Sequence, residues 1–528
     1  MPPRLAHGVT VEIPSRLNLA DELLRRAMDS GLAESPAIYY QDEIISYREL
    51  DERASRLAGG LRSIGVEPTD RVLLRFPNRP EFVVAWFALQ KLGAVVLATM
   101  PLLRARELEY VANDSQVKVA LVSSDLYEEM EKARPQLDTV QRIVVSGDPT
   151  SDSPTFEELA AYESVPSVEI GRDDPALIAY TSGSTGVPKG CVHFPSDVLA
   201  SADTYAKKVL APEPGDIFTG HPPLAFTFGL GGLLVYPLRF GAATCLIERF
   251  TPETMLETIT RHRATAAFCA PTSYKLMMQV ENVKERFDLS SLRAPVSAGE
   301  TLPAVTFEQW KEMFDMELLD GIGSTELFHI FISSQPGRAR AGSTGEVVPG
   351  YQARVVDEEM RDLPDGKPGM LAVSGPTGCK YWGKPERQKG YVREGWNLPG
   401  DIYTRDSEGY FHYQCRGDDL IITSGYNVAG PEVENVLMEH AAVAETAVVA
   451  SPDELRGHIV KAFVVLNKSF DAGAELTEEL QSHVREQLAP YKYPREVEFV
   501  SELPRTQTGK IRRVELRQQE SERKTGKD

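Results

Sequence analysis

Tyr180-Thr181-Ser182-Gly183-Ser184-Thr185-Gly186-Val187-Pro188-Lys189-Gly190 is the most informative stretch of the chain. Glycines let backbone amides approach an anion closely, the hydroxyls add donors, and Lys189 adds positive charge. The combination describes a loop that cradles phosphate. It is not a Walker A loop: Pro188 stands where the glycine before the lysine belongs, and Gly190 replaces the Ser/Thr that would hold magnesium. A flexible Ser/Gly surface loop would share this composition but not this order of hydroxyls, glycines and lysine.

On the N-terminal side, strand and helix alternate. Ser46-Tyr47-Arg48-Glu49 reads as a capping box, with Leu50, Ala54, Leu57, Leu61 and Ile64 following at helical spacing. Residues 71–76 read as a buried strand, 80–92 as a helix, 94–99 as a strand, 104–113 as a helix and 117–122 as a strand. That alternation is the mark of a parallel α/β sheet. On the C-terminal side a second series places strands at 242–247, 265–270, 292–297 and 316–319, with a helix at 251–263. Between 343 and 375 short strands punctuated by Pro-Gly and Asp-Gly suggest a small antiparallel sheet or barrel. After Arg416 a compact α/β pattern returns, with strands at 420–423, 443–450 and 459–466 and helices at 431–440 and 477–488. The expected fold class is α/β. A large N-terminal domain, residues 1–415, holds α/β sheet subdomains and a small β-rich one, and a small mobile C-terminal α/β domain occupies 416–528.

A chain of 528 residues exceeds one compact core. A net charge of −20 argues against a nucleic-acid partner, and positive charge is instead concentrated locally: residues 505–528 carry eight basic side chains against four acidic. Residues 1–14 have no apolar core of signal-peptide length, and apolar runs such as 94–98 are strand-sized, so no membrane association is expected. Cys191, Cys245, Cys269, Cys379 and Cys415 form no C-x-x-C pair and read as buried free thiols in a reducing cytoplasm. Nothing in the sequence sets an oligomeric state.

The loop resembles the phosphate loop of the adenylate-forming superfamily of acyl-CoA synthetases, adenylation domains and luciferases, and further segments match that superfamily in order. Asp320-Gly321-Ile322-Gly323-Ser324-Thr325-Glu326 matches its aromatic-Gly-x-Thr-Glu segment, with Ile322 in place of the usual tyrosine. Gly400-Asp401 matches its ribose-binding pair, Arg416-Gly417-Asp418-Asp419 through Gly425-Tyr426 its hinge segment, and Pro504-Arg505-Thr506-Gln507-Thr508-Gly509-Lys510 its catalytic-lysine motif. The resemblance implies that Thr181, Ser182, Gly183, Ser184, Thr185, Gly186 and Lys189 cradle the ATP phosphates. Thr325 would bind phosphate beside Glu326, whose carboxylate suits Mg2+. Ser297, Ala298, Gly299, Glu300, Asp320, Gly321 and Ile322 would line the adenine, while Asp401 and Arg416 meet the ribose. Lys510 would stabilise charge on the phosphoryl oxygens during adenylate formation. A rotation about Asp418 would then bring Gly425 and Tyr426 toward coenzyme A. Asn427 departs from the arginine that many acyl-CoA synthetases carry there.

The stretch His221-Pro222-Pro223-Leu224-Ala225-Phe226-Thr227-Phe228-Gly229-Leu230-Gly231-Gly232 offers no aspartate to pair with the ammonium of an α-amino acid, whose unpaired burial would be costly. Glu326 continued by Leu327-Phe328-His329-Ile330 looks like benzoate–CoA ligases and their 2-aminobenzoate relatives. Phe226, Thr227, Phe228, Gly323, His329 and Ile330 are therefore the expected acid pocket, for a small aromatic carboxylate. A hydroxyl at Thr227 would suit an ortho substituent. The blander reading is that Phe226, Phe228 and His329 are core residues. A medium-chain acyl-CoA synthetase and a ligase loading a carrier protein stay open as alternatives. A P-loop NTPase is disfavoured by Pro188 and Gly190, and an α/β-hydrolase by the lack of a G-x-S-x-G elbow.

Overall fold

The computed structural model describes residues 11–147, 154–181, 188–423, 426–453, 456–488, 491–505 and 510–525. A seven-stranded sheet runs in the order Lys380–Tyr381, Lys189–His193, Leu177–Thr181, Val95–Ala98, Arg71–Arg75, Val119–Ser123, Arg142–Ser146. Its last five strands are parallel. A nine-stranded sheet is parallel through its centre, where Ala243–Leu246, Ile217–Gly220, Ala266–Cys269, Ala294–Ala298 and Leu319–Gly323 lie side by side.

The helix Pro80–Lys91 explains how these layers hold together. Its sequence, PEFVVAWFALQK, is apolar all round, and every residue but Glu81 is buried. Such a helix belongs inside a core rather than on its face. It packs on the helices Leu19–Asp29 and Tyr47–Ser63 and on the strands Arg71–Arg75 and Val95–Ala98. One apolar cluster runs continuously from these helices into both sheets. Lys91, at its buried end, is neutralised by Asp21 at 3.0 Å and Asp51 at 2.7 Å.

The alternating elements expected from the sequence are present, with two corrections. Ser46 caps its helix by accepting from the Glu49 N–H at 3.1 Å, but the Glu49 carboxylate does not close a capping box. It accepts from Arg53 one turn further on, at 2.6 Å, an ion pair that a helical i,i+4 spacing favours. The strand expected at 316–319 begins only at Leu319, because register with the neighbouring strand starts at the Val296–Leu319 pair. The residues before it follow Asp315, which ends the preceding helix in the left-handed region.

The expected β-rich segment is a six-stranded antiparallel sheet that includes Gln352–Val356, Gly369–Ser374, Asp401–Arg405 and Phe411–Arg416. Beyond Arg416 the chain forms separate sheets, Leu420–Thr423 with Tyr426–Ala429, then Val443–Asp453, Gly457–Leu466 and Glu496–Phe499. The helices Gly430–Met438, Ala474–Gln487 and Arg513–Thr525 accompany them. All five cysteines are buried free thiols. No helix among the described residues is long and apolar enough to cross a membrane.

One side chain fixes the segment 221–232 against the other sheet. Asn78 donates to the Pro222 carbonyl at 3.1 Å and accepts from the Leu224 N–H at 2.8 Å, and both bonds are buried. Removing it strands a buried donor and a buried acceptor. Asn78→Ala should lower unfolding stability by about 2–4 kcal/mol, read as a shift in urea midpoint followed by tryptophan fluorescence. An unshifted midpoint would mean that the two backbone groups find other partners.

Candidate active site

Leu177–Thr181 and Lys189–His193 are antiparallel, and Thr181 lies opposite Lys189. Ser182, Gly183, Ser184, Thr185 and Gly186, the middle of the loop motif, lie outside the described residues. Lys189 Nζ sits 5.6 Å from the centre of the Tyr381 ring, and Tyr381 Oη donates to Glu326 Oε1 at 2.8 Å. Burial, then the charge of Glu326, raises the Tyr381 pKa and keeps it a donor. Thr325 and Glu326 occupy a single 3₁₀ turn, Thr325–Leu327. That turn is anchored from below: His193 Nε2 donates to the Thr325 carbonyl at 2.6 Å, and His193 Nδ1 faces Asp197 at 3.3 Å. Asp197 also accepts from the Phe194 and Gly378 N–H groups, while burial raises its pKa and His193 opposes the rise. Immediately beyond, Phe328 has φ +70°. A non-glycine residue there stores strain of order 1–3 kcal/mol, held where the chain turns from Glu326 to His329.

Ser297 lies opposite Asp320 and Ala298 opposite Gly321 on parallel neighbouring strands. Ser297 Oγ donates to Asp320 at 3.1 Å. Burial dominates at Asp320 and pushes its carboxyl up to about 8, with Ser297 and the Gly321 N–H opposing. Ile322 and Gly323 continue to the more open end of that strand. After Gly299, at φ +92°, Glu300 accepts from Thr272 Oγ1 at 2.7 Å. Asp401 and Arg416 face each other across a third pair of strands, 3.1 Å apart. Desolvation raises the Asp401 pKa, and Arg416 and Lys510 counter it. Lys510, from the C-terminal part of the chain, keeps exposed surface. Desolvation lowers its pKa, Glu300 and Asp401 favour its charge, and Arg416 opposes it. Four charged residues from distant segments, Glu300, Asp401, Arg416 and Lys510, are thus brought into one electrostatic neighbourhood.

Of the expected acid-pocket residues, Phe228 packs directly on His329. Its Nε2 lies 3.2 Å from the Phe228 carbonyl, so that nitrogen is the donor and Nδ1 the acceptor, buried with no hydrogen-bond partner among the described residues. Burial pushes the imidazole down to about 3, which keeps it neutral at any ordinary pH. Tyr236, Phe228 and Tyr205 surround the ring at centroid distances of 4.7, 5.5 and 5.6 Å. Gly231 permits this closeness, since a Cβ there would meet the imidazole at 2.3 Å. The helices beside it widen to π geometry at Ala202–Leu210 and Gly231–Val235, an irregularity frequent at functional sites. Thr227 is buried at the start of the short helix Thr227–Leu230, and Phe226 precedes it as a half-buried cap. Ile330 turns into the core against Gly321.

Asp418 lies in the turn Gly417–Asp419 that leaves the six-stranded sheet, and Tyr426 pairs with Thr423; Gly425 lies outside the described residues. His193, Asp197, Tyr381, Tyr205 and Tyr236 were not anticipated. The i,i+4 spacing of His193 and Asp197 was a signal for the first pair. The tyrosines reach the site through tertiary packing that leaves no mark in local sequence. Among the described residues no three His, Cys, Asp or Glu cluster as a metal cage. Glu326, half-buried with one oxygen held by Tyr381, fits a magnesium ion bound largely through phosphate oxygens.

Residues 25–382 match the family described as AMP-binding enzyme, and residues 432–510 match the AMP-binding enzyme C-terminal domain. A benzoate–CoA ligase of Thauera aromatica is 38% identical over 514 residues, covering 96% of this chain and 97% of that one. The crystal structure of an anthranilate–CoA ligase in complex with anthranoyl-AMP superimposes with a TM-score of 0.91 at 34% identity, covering 96% and 98% of the two chains. A benzoate–CoA ligase from Burkholderia xenovorans LB400 gives 0.86 at 34% identity, covering 95% and 100%.

The raised pKa of Asp320 has a stability consequence of definite sign. A carboxyl held protonated in the native state contributes fully below its ordinary pKa of 3.8, and the contribution is lost as pH rises to about 8. Asp320→Asn, neutral at every pH, should therefore gain on the wild type between pH 4 and 8 and level off above, by at most about 1.4 kcal/mol per pH unit. Parallel stability–pH curves of the nucleotide-free proteins would refute a protonated Asp320.

Proposed function

The chain belongs to the AMP-binding enzyme family, and from that premise we propose that this acid–thiol ligase is an AMP-forming aryl–CoA ligase acting on benzoate or an ortho-substituted benzoate such as 2-aminobenzoate. The observation that carries the reading is that Lys510, from the C-terminal part of the chain, feels the charges of Glu300, Asp401 and Arg416 from the N-terminal part and the join. A fixed cation there is worth most where charge develops on phosphoryl oxygens.

In the first half-reaction a carboxylate oxygen attacks the α-phosphorus of ATP. The bond from that phosphorus to the bridging oxygen breaks, and pyrophosphate leaves. Thr181, Ser182, Thr185 and Lys189 would bind the phosphates, and Thr325 and Glu326 would face them from the turn Thr325–Leu327. Mg2+ held at Glu326 would neutralise charge on the phosphate oxygens. Asp401 would accept from the ribose hydroxyls, with Arg416 beside it. In the second half-reaction the sulfur of coenzyme A attacks the acyl carbonyl carbon, the carbon–oxygen bond to AMP breaks, and the thiol proton passes to solvent. We take 415/416 as the domain boundary and Asp418 as the pivot that exchanges Lys510 for Gly425 and Tyr426 between the two steps. Buried free thiols fit a cytoplasmic setting.

The aryl assignment is supported by the neutral wall around His329 and by relatives named for benzoate and anthranilate. An aromatic ring gains most of its binding from burial without a charged contact. Thr227 and the unpartnered Nδ1 of His329 supply polar atoms for a ring substituent.

Lys510→Ala should slow pyrophosphate release roughly 10²–10³-fold while thioester formation from supplied acyl-adenylate stays near wild type. Equal losses in both half-reactions would remove Lys510 from the first. Wild-type kcat/KM measured on benzoate, 2-aminobenzoate, salicylate and octanoate should favour the aryl acids, and a preference for octanoate would sink the aryl reading. Thr227→Ala should erase a roughly tenfold preference for the ortho-substituted acids and leave benzoate unchanged. A preference that survives the substitution would exclude Thr227 from substituent recognition.

A further inference from the structure

We infer that the helix Pro271–Met278 is the docking reference that places Lys510 for adenylate formation, and that Lys275 is its positioning residue. The inference rests on the two-step reading above, and it concerns which contacts hold the small unit in its first pose.

Two residues on this helix, one turn apart, lead to Lys510 by separate routes. Thr272 Oγ1 donates to Glu300 at 2.7 Å, and Glu300 is the strongest of the charges that favour the Lys510 ammonium. Lys275, on the same face by its i,i+3 spacing, reaches across to the small unit and donates to the Ala444 carbonyl at 3.1 Å. The next residue, Glu445, pairs with Arg505 at 2.6 Å. Arg505 forms a bridge with Ile511, and the Pro504 carbonyl accepts from the Arg512 N–H at 2.8 Å. These two contacts bracket Lys510 on both sides. The helix therefore holds the carboxylate that Lys510 faces and, through Ala444 and Glu445, the strand end to which the lysine segment is tied.

The chemistry of Lys275 suits a reversible contact. It is half-buried, and desolvation lowers its pKa while Glu445 opposes the shift. It donates to a neutral carbonyl rather than forming a tight ion pair, so the contact can be exchanged for water when the small unit turns away. A bond of this kind contributes modestly, enough to bias a pose without locking it. Cavity filling or core packing would not explain a lysine that crosses to the other unit to meet a backbone oxygen.

Lys275→Met keeps the aliphatic stem and removes the donor, and Lys275→Arg keeps a donor. Pyrophosphate release in a single turnover with ATP and benzoate should fall roughly tenfold in Lys275→Met. Thioester formation from supplied benzoyl-adenylate and coenzyme A should hold or rise, and Lys275→Arg should restore much of the first step. Since the native cysteines are buried, spin labels on Glu308→Cys and Glu478→Cys, exposed on the two units, report the pose of the full chain directly. The short-distance population of the otherwise wild-type labelled protein should shrink when Lys275→Met is added. An unchanged first step, or equal losses in both steps with an unchanged distance distribution, would overturn the inference. If the wild type releases no pyrophosphate with any acid tested, the proposed function fails, and the distance distributions alone decide the role of Lys275.

Discussion

An ammonium beside Arg416 needs carboxylates near it, and Lys510 has Glu300 and Asp401 near it only because segments from the N- and C-terminal parts of the chain meet. The rest of the site is arranged around that requirement. Asp401 is itself buried and tolerates its charge through Arg416, so the cluster balances cations against carboxylates within the protein. A cluster of this kind attracts an anionic nucleotide at the places where it has excess positive charge and orients it where carboxylates accept hydroxyls. Because Lys510 comes from the C-terminal part of the chain, the proposed turn of that part between the two half-reactions would change the balance.

The acid side of the site works by the opposite means. His329 is neutral because burial removes the water that would solvate its charge, and its ring neighbours offer apolar surface with few donors. A charged wall would demand a charged substrate; this one suits the ring of the proposed aryl substrate. The two sides meet at the turn from Thr325 to His329, where the His193–Asp197 pair holds the Thr325 carbonyl and Phe328 is kept in a left-handed conformation. In the proposed reading, this stretch would present Glu326 to phosphate and, three residues on, His329 to the aryl ring. Small displacements of that turn would affect both substrates together.

Local sequence determined a good deal. The order of glycine, hydroxyl and lysine around Thr181 and Lys189 specifies anion binding because backbone amides and small residues act over a few positions. The alternation of apolar runs specified the parallel sheets, because buried strands and amphipathic helices carry their own periods. Glu326 and His329 were legible instead through the resemblance of residues 320–330 to benzoate–CoA ligases.

Tertiary structure decided what sequence spacing cannot encode. Tyr381 reaches Glu326, Tyr205 and Tyr236 reach His329, and Lys275 reaches Ala444 from positions whose neighbours in sequence say nothing of these contacts. Even the capping box at Ser46 was half decided this way, since Glu49 had a stronger partner in Arg53 than in the backbone it could have capped. Local patterns record the interactions a residue makes within one or two turns, where chain connectivity fixes the geometry. Contacts across sheets and between units depend on how whole layers pack, and there burial and charge balance, rather than sequence distance, select the partner.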